Sequence, residues 1–63
     1  MPEQTEYLSP RQVSQLTGIE AGTLANWRWS GRGPDFVRLG RSIRYPKQDL
    51  QHWIEAQRQK PLR

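Results

Sequence analysis

Cysteine is absent from the sequence, histidine occurs once, and six acidic residues stand against ten basic ones. Without cysteine there are no disulfides and no thiolate metal site, and the absence fits a reducing compartment. The lone His52 has no second histidine or cysteine to share a metal, so a surface histidine is expected. No apolar stretch approaches the roughly 20 residues of a membrane span, and no leader-type apolar region is present. The expectation is therefore a cytoplasmic protein with no membrane partner. Catalytic groupings are missing too. The carboxylates are scattered, no serine is followed by an activating base, and no glycine-rich phosphate loop opens a helix. A chain of 63 residues can hardly enclose a dry pocket. The reading is a protein that is not an enzyme and needs no cofactor.

The small size also limits stability, because a domain of this length buries only about 60% of the surface its unfolded chain exposes. Three tryptophans matter in that setting, since each can bury ~150–250 Å². The basic charge is local. Residues 28–47 hold Arg28, Arg32, Arg38, Arg41, Arg44 and Lys47 against Asp35 alone, while residues 1–7 hold Glu3 and Glu6 and no base. A focused basic segment beside an acidic tip points to a polyanion partner, the alternative being a solvated charged surface.

Local signals give an element order. Residues 1–7 read as a flexible polar segment, with fraying through Tyr7. Ser9 is an N-cap, Pro10 sits at the first helical position and Gln12 completes a capping box. Leu8 and Val13 form a hydrophobic staple across the cap. Helix one then covers about 10–16, with Val13 and Leu16 inward, Gly18 just past its end and Ile19 folding back on Val13. A second helix covers about 21–30 and stops at Gly31. Glu20 is a poor N-cap for it. Trp27, Ala21 and Arg28 lie within about 60° of Leu24, and Gly22, Ala25, Asn26 and Trp29 take the opposite face.

Residues 36–45 read as a β-hairpin around Gly40-Arg41-Ser42. A three-residue loop pairs Leu39 with Ile43 and Val37 with Tyr45, and it puts Arg38 and Arg44 together on an outer face. A two-residue loop mixes Arg38 with Ile43. Segregation of the faces favours the first register. Pro46 then opens a third helix at its first position, with Asp49 in the first turn and Leu50, Trp53 and Ile54 as a core stripe. That helix should fade near Arg58, before Pro61.

Helix, turn, helix, hairpin, helix is a winged helix-turn-helix: a mainly α fold with a small β-hairpin. The expected domain is 8–58, with 59–63 as a flexible tail. The run from Leu8-Ser9-Pro10 to Gly18, then Thr23-Leu24-Ala25-Asn26-Trp27-Arg28, Gly33-Pro34-Asp35-Phe36, Leu39-Gly40-Arg41, Arg44-Tyr45 and Asp49-Leu50-Gln51-His52-Trp53-Ile54 resembles the excisionase-like small winged-helix family. That family is related to the DNA-binding domains of MerR-type regulators, and the resemblance covers about 8–55. It implies a bacterial or phage DNA-binding protein, often of a mobile genetic element, whose second helix enters the major groove and whose wing tip follows the backbone or minor groove. Glu20 departs from the family's usual hydroxyl cap, and Trp29 stands where a polar or basic residue is more common.

The candidate DNA contacts of the second helix are Ala21, Gly22, Thr23, Ala25, Asn26 and Arg28. Asn26 can bind adenine in a bidentate manner. Thr23 can meet a phosphate or a thymine methyl. Gly22 and Ala25 let the helix sit deep in a groove. For Arg28 a structural ion pair with the third helix competes with phosphate contact. On the wing the candidates are Arg38, Arg41, Ser42 and Arg44. Trp27 and Trp53 read as core. Trp29 is either a protein-interface anchor or a cover for the wing, and both stay open.

The leading expectation is a sequence-specific double-stranded DNA-binding protein, an excisionase that binds cooperatively and bends DNA to assist a site-specific integrase. Its partners would be duplex DNA, that integrase and neighbouring copies of itself. With only a few residues after helix three, no dimerising coiled coil is expected, so a monomer in solution would assemble head to tail on direct repeats. A small helix-turn-helix transcriptional regulator and a protein-binding winged-helix adaptor are the alternatives.

Overall fold

The computed structural model describes residues 6–58. The expectations for 1–5 and for the tail 59–63, including the stop at Pro61, lie outside these residues. The elements in chain order are β1 (Tyr7–Leu8), α1 (Pro10–Thr17), α2 (Ala21–Ser30), β2 (Val37–Leu39), β3 (Ser42–Pro46) and α3 (Lys47–Ala56). The strands form an antiparallel sheet in the order β1-β3-β2. Three helices with this small sheet make a winged helix-turn-helix fold.

The start of α1 follows the sequence reading. Ser9 Oγ accepts from the Gln12 N–H at 3.1 Å, and Gln12 Oε1 accepts from the Ser9 N–H at 2.9 Å. Gly18 takes φ 78° and donates its N–H to the Ser14 carbonyl, which ends the helix in the left-handed conformation that glycine adopts without strain. The helix runs one residue further than expected, to Thr17, whose Oγ1 donates to the Val13 carbonyl at 2.7 Å. The same hydroxyl accepts from the Ile19 N–H at 3.1 Å, so one side chain ties helix to turn. At the end of α2, Gly31 at φ 74° and Arg32 both donate to the Trp27 carbonyl. Glu20 makes no side-chain capping bond to α2.

The core holds one side chain from each of four elements: Val13 of α1, Leu24 of α2, Tyr45 of β3 and Leu50 of α3. Leu8, Ile19, Trp27, Ile43 and Trp53 pack around them, partly buried. Trp27 and Trp53 meet with ring centroids 5.8 Å apart and join α2 to α3. The loop after α2 lies close beneath Trp27. A Cβ built on Gly33, at φ 83°, would stand 2.7 Å from Trp27 Cε3.

Several expectations are corrected. Glu6 and Tyr7 are not frayed: Tyr7 pairs with Pro46, and the Glu6 carbonyl accepts from the Lys47 N–H at 2.8 Å. Leu16 points outward and is 68% exposed, because Leu8 and Ile19 fold in from the two ends of α1 and occupy the space around Val13. Ile54 is exposed, so α3 gives the core Leu50, fully buried, and Trp53, half-buried against it. Pro46 is the N-cap of α3 rather than its first helical residue. With φ −58° and ψ 131° it is still extended and paired to β1.

The hairpin takes the other register. Leu39 faces Ser42, Arg38 faces Ile43 and Val37 faces Arg44 across a two-residue turn, Gly40-Arg41. Gly40 has φ 64°, the left-handed first position that tight hairpin turns require. Turn chemistry prevails over segregation of the faces because the outer hairpin is solvated: Arg38, Leu39, Arg41 and Ser42 are all exposed. Little burial is at stake there in either register.

Two glycines in the same backbone region test the packing around Trp27. Gly18→Ala meets nothing within 4 Å and carries backbone strain alone, whereas Gly33→Ala adds the clash with Trp27. In urea denaturation Gly33→Ala should therefore cost about 1–3 kcal/mol more than Gly18→Ala. Equal losses would mean that Trp27 does not rest on this loop.

Candidate nucleic-acid interface

One face of α2 is left uncovered by the fold. Gly22, Asn26 and Trp29 are exposed and Ala25 half-buried, a stripe at i, i+3/i+4 and i+7 that extends about 10 Å along the axis. Ala21 is exposed at the first turn and Thr23 half-buried beside it. Gly22 is not a requirement of the backbone. It lacks a positive φ, and a Cβ there would meet nothing within 4 Å. A glycine in a helix lowers stability relative to alanine, so its presence on this face serves no folding need.

Beside the stripe runs a groove lined by Ala25, Arg28 and Trp29 of α2 and by Phe36, Arg38 and Ile43 of the wing. The hairpin register creates it. Paired residues share a face of a sheet, so Arg38 lies on the side of Ile43 and Tyr45, facing α2, and Arg44 lies on the opposite side. The expected shared outer face of Arg38 and Arg44 does not exist. Arg44 is half-buried, and its Nη1 donates to the Ile43 carbonyl at 2.7 Å. Arg41 and Ser42 are exposed at the tip.

Arg28 makes no ion pair with α3. Its Nη1 donates to the Tyr45 hydroxyl at 2.6 Å, and its guanidinium carbon lies 5.9 Å from the ring centroids of both Phe36 and Tyr45. These are cation–π distances, and they fix a cation between the second helix and the wing. Trp29 does not cover the wing; it is 91% exposed at the lip of the groove. Among the described residues the ion pairs are Lys47–Glu6 and Arg58–Glu55, both at 3.0 Å and both exposed. The arginines of α2 and the wing thus pair with no carboxylate of the described residues, and the apolar walls of Trp29, Phe36 and Ile43 strengthen their field in the groove.

Phe36 and Ile43 were not expected at this site. The glycine-first turn was the available signal, since the two-residue loop it encodes places Arg38 opposite Ile43. A separate shallow depression is lined by Asp35, Asp49, His52 and Trp53. Among the described residues no cluster of His, Cys, Asp and Glu could hold a metal ion, and no helix is long and apolar enough to cross a membrane.

The Arg28–Tyr45 contact has a measurable signature. Tyr45 is fully buried, so Arg28→Ala leaves its hydroxyl without a donor and should cost ~1–3 kcal/mol in chemical denaturation. Adding Tyr45→Phe to Arg28→Ala should cost little more, because the orphaned hydroxyl is removed as well. Strictly additive losses would refute the coupling.

A family model described as a helix-turn-helix domain matches residues 7–58. No curated protein and no solved structure gives a significant match.

Proposed function

The chain belongs to the helix-turn-helix domain family, and from that membership we propose that it is a sequence-specific duplex-DNA-binding protein whose α2 reads the major groove. The observation that carries this reading is the pairing of the uncovered α2 face with a groove in which Arg28 and Arg38 have no carboxylate partner among the described residues. Ala21, Gly22, Thr23, Ala25 and Asn26 approach the bases and the adjoining phosphates. Gly22 lets the first turn come close, and Asn26 offers an amide to adenine. Arg28, Arg38 and Arg41 neutralise phosphates, and Ser42 offers a hydroxyl at the wing tip. Arg44, folded onto its own strand, is the weakest of these contacts.

Two substitutions separate reading from anchoring. Asn26→Ala should leave the melting temperature nearly unchanged, cost ~1–3 kcal/mol on the preferred site and cost little on random duplex. Arg41→Ala should weaken both duplexes alike and reduce the slope of log K against log salt by about 0.9. If Asn26→Ala affects both duplexes equally, the amide is a positioning contact. An unchanged salt slope in Arg41→Ala removes the wing tip from the interface.

The biological role we propose is that of an excisionase, which binds as several copies and curves DNA so that an integrase can assemble. The resemblance over about 8–55 supports this role. A module of this size covers only about 600–1,000 Å² on DNA. Specificity then needs several copies, and head-to-tail contacts between them form an open array aligned by the duplex. Footprinting with a circular-permutation bending assay should reveal cooperative protection of direct repeats and a bend. A single palindrome occupied by a preformed dimer, without a bend, would point instead to a simple transcriptional regulator.

A further inference from the structure

Trp29 is the most exposed large apolar side chain of the described residues, at 91%, on a helix whose other tryptophan, Trp27, packs against the core. It continues the stripe of Gly22, Ala25 and Asn26 along the uncovered face of α2. The stripe is unusual in its chemistry. It holds one amide, one methyl and one indole, and no charged group. The commonest contact to guanine in the major groove is a cation on O6 and N7, and cytosine N4 is best met by a carboxylate. Arg28, the nearest cation on the helix, is committed to the Tyr45 hydroxyl and lies against Phe36. An A·T pair, by contrast, presents a site for the Asn26 amide on adenine and an apolar C5-methyl on thymine.

We propose that Trp29 is a specificity-determining residue that packs on thymine C5-methyl groups, so that the exposed stripe of α2 selects A·T pairs in the major groove. This inference rests on the DNA-binding reading above. The neighbouring charges select DNA over a protein as the occupant. Trp29 shares its groove with Arg28 and Arg38, neither of them ion-paired to any of the described residues. A protein seated on the indole would desolvate both cations, whereas a duplex brings phosphates to them as its bases reach the ring. The size gradient along the stripe agrees. Gly22 allows the first turn to approach the base edges closely, and the indole two turns later spans the wider gap that remains at the other end of a tilted helix.

Replacement of thymine by deoxyuridine tests this directly, since it removes the C5-methyl and leaves pairing and charge unchanged. Duplexes retained by the full chain from a random-sequence pool should carry A·T pairs at the positions contacted by α2. Deoxyuridine at those positions should weaken binding about fourfold per methyl. Trp29→Ala should fold with an unchanged melting temperature, bind more weakly, keep its salt slope and no longer distinguish thymine from deoxyuridine. The proposal is overturned if deoxyuridine costs nothing at any position, or if its penalty persists undiminished in Trp29→Ala. It is also overturned if Trp29→Ala loses cooperativity between copies while its methyl dependence is intact, which would make the indole a protein contact. Failure to retain any duplex would instead refute the DNA-binding reading itself.

Discussion

Tyr45 is the side chain on which the geometry of the domain depends. It sits on β3, the central strand, and is fully buried against Val13, Leu24 and Leu50. Its ring lies 6.2 Å from that of Phe36, and its hydroxyl accepts from Arg28. One residue therefore joins the hydrophobic core, the sheet and the second helix. The contact with Arg28 sets the distance between α2 and the hairpin, and that distance is the width of the groove between them. Because Arg28 spends a hydrogen bond and two aromatic contacts on this task, it enters the groove as a fixed cation. A side chain held in this way loses less conformational entropy on meeting a phosphate than a freely rotating one.

The core around Tyr45 is small. It consists of four buried side chains with five partly buried ones around them. Local signals compensate. A full capping box starts α1, left-handed glycines end α1 and α2, and Gly40 turns the hairpin. The helix signals among these were the most legible in the sequence because each depends on a few adjacent residues. Both ends of α1 and the end of α2 follow from Ser9, Gln12, Gly18 and Gly31 without reference to the rest of the fold.

What was not legible depended on tertiary context. Spacing on an isolated helix turns Leu16 inward, but in the fold Leu8 and Ile19 pack against the core and Leu16 stays outside. Tyr7 gave no strand signal of its own, and it pairs only because β3 offers an edge at Pro46. The hairpin register was a contest between two local rules. Face segregation is a strong rule only where one face is buried, and beyond Tyr45 neither face is. The two-residue turn puts Arg38 in the groove and not on an outer surface, so one loop residue changes the candidate site more than it changes the fold. The partner of Arg28 was equally hidden, since a tyrosine hydroxyl 17 positions away carries no sequence signature.

The second helix breaks more local rules than any other element. It begins at Glu20 without a side-chain cap, carries a glycine in its first turn that the backbone does not require, and presents a tryptophan to solvent. Sequences that agree with their fold at every level tend to depart from it only where another requirement intervenes. Here the departures collect on one helix and, for Gly22 and Trp29, on one face of it. A stability-driven sequence would place alanine at the first and a polar residue at the second. The fold is held by Leu24, Trp27 and Arg28 on the inner side of the same ten residues, which leaves the outer side free to meet a different demand. Surface chemistry of this kind, small then amide then indole, is organised by distance from a partner rather than by anything inside the molecule.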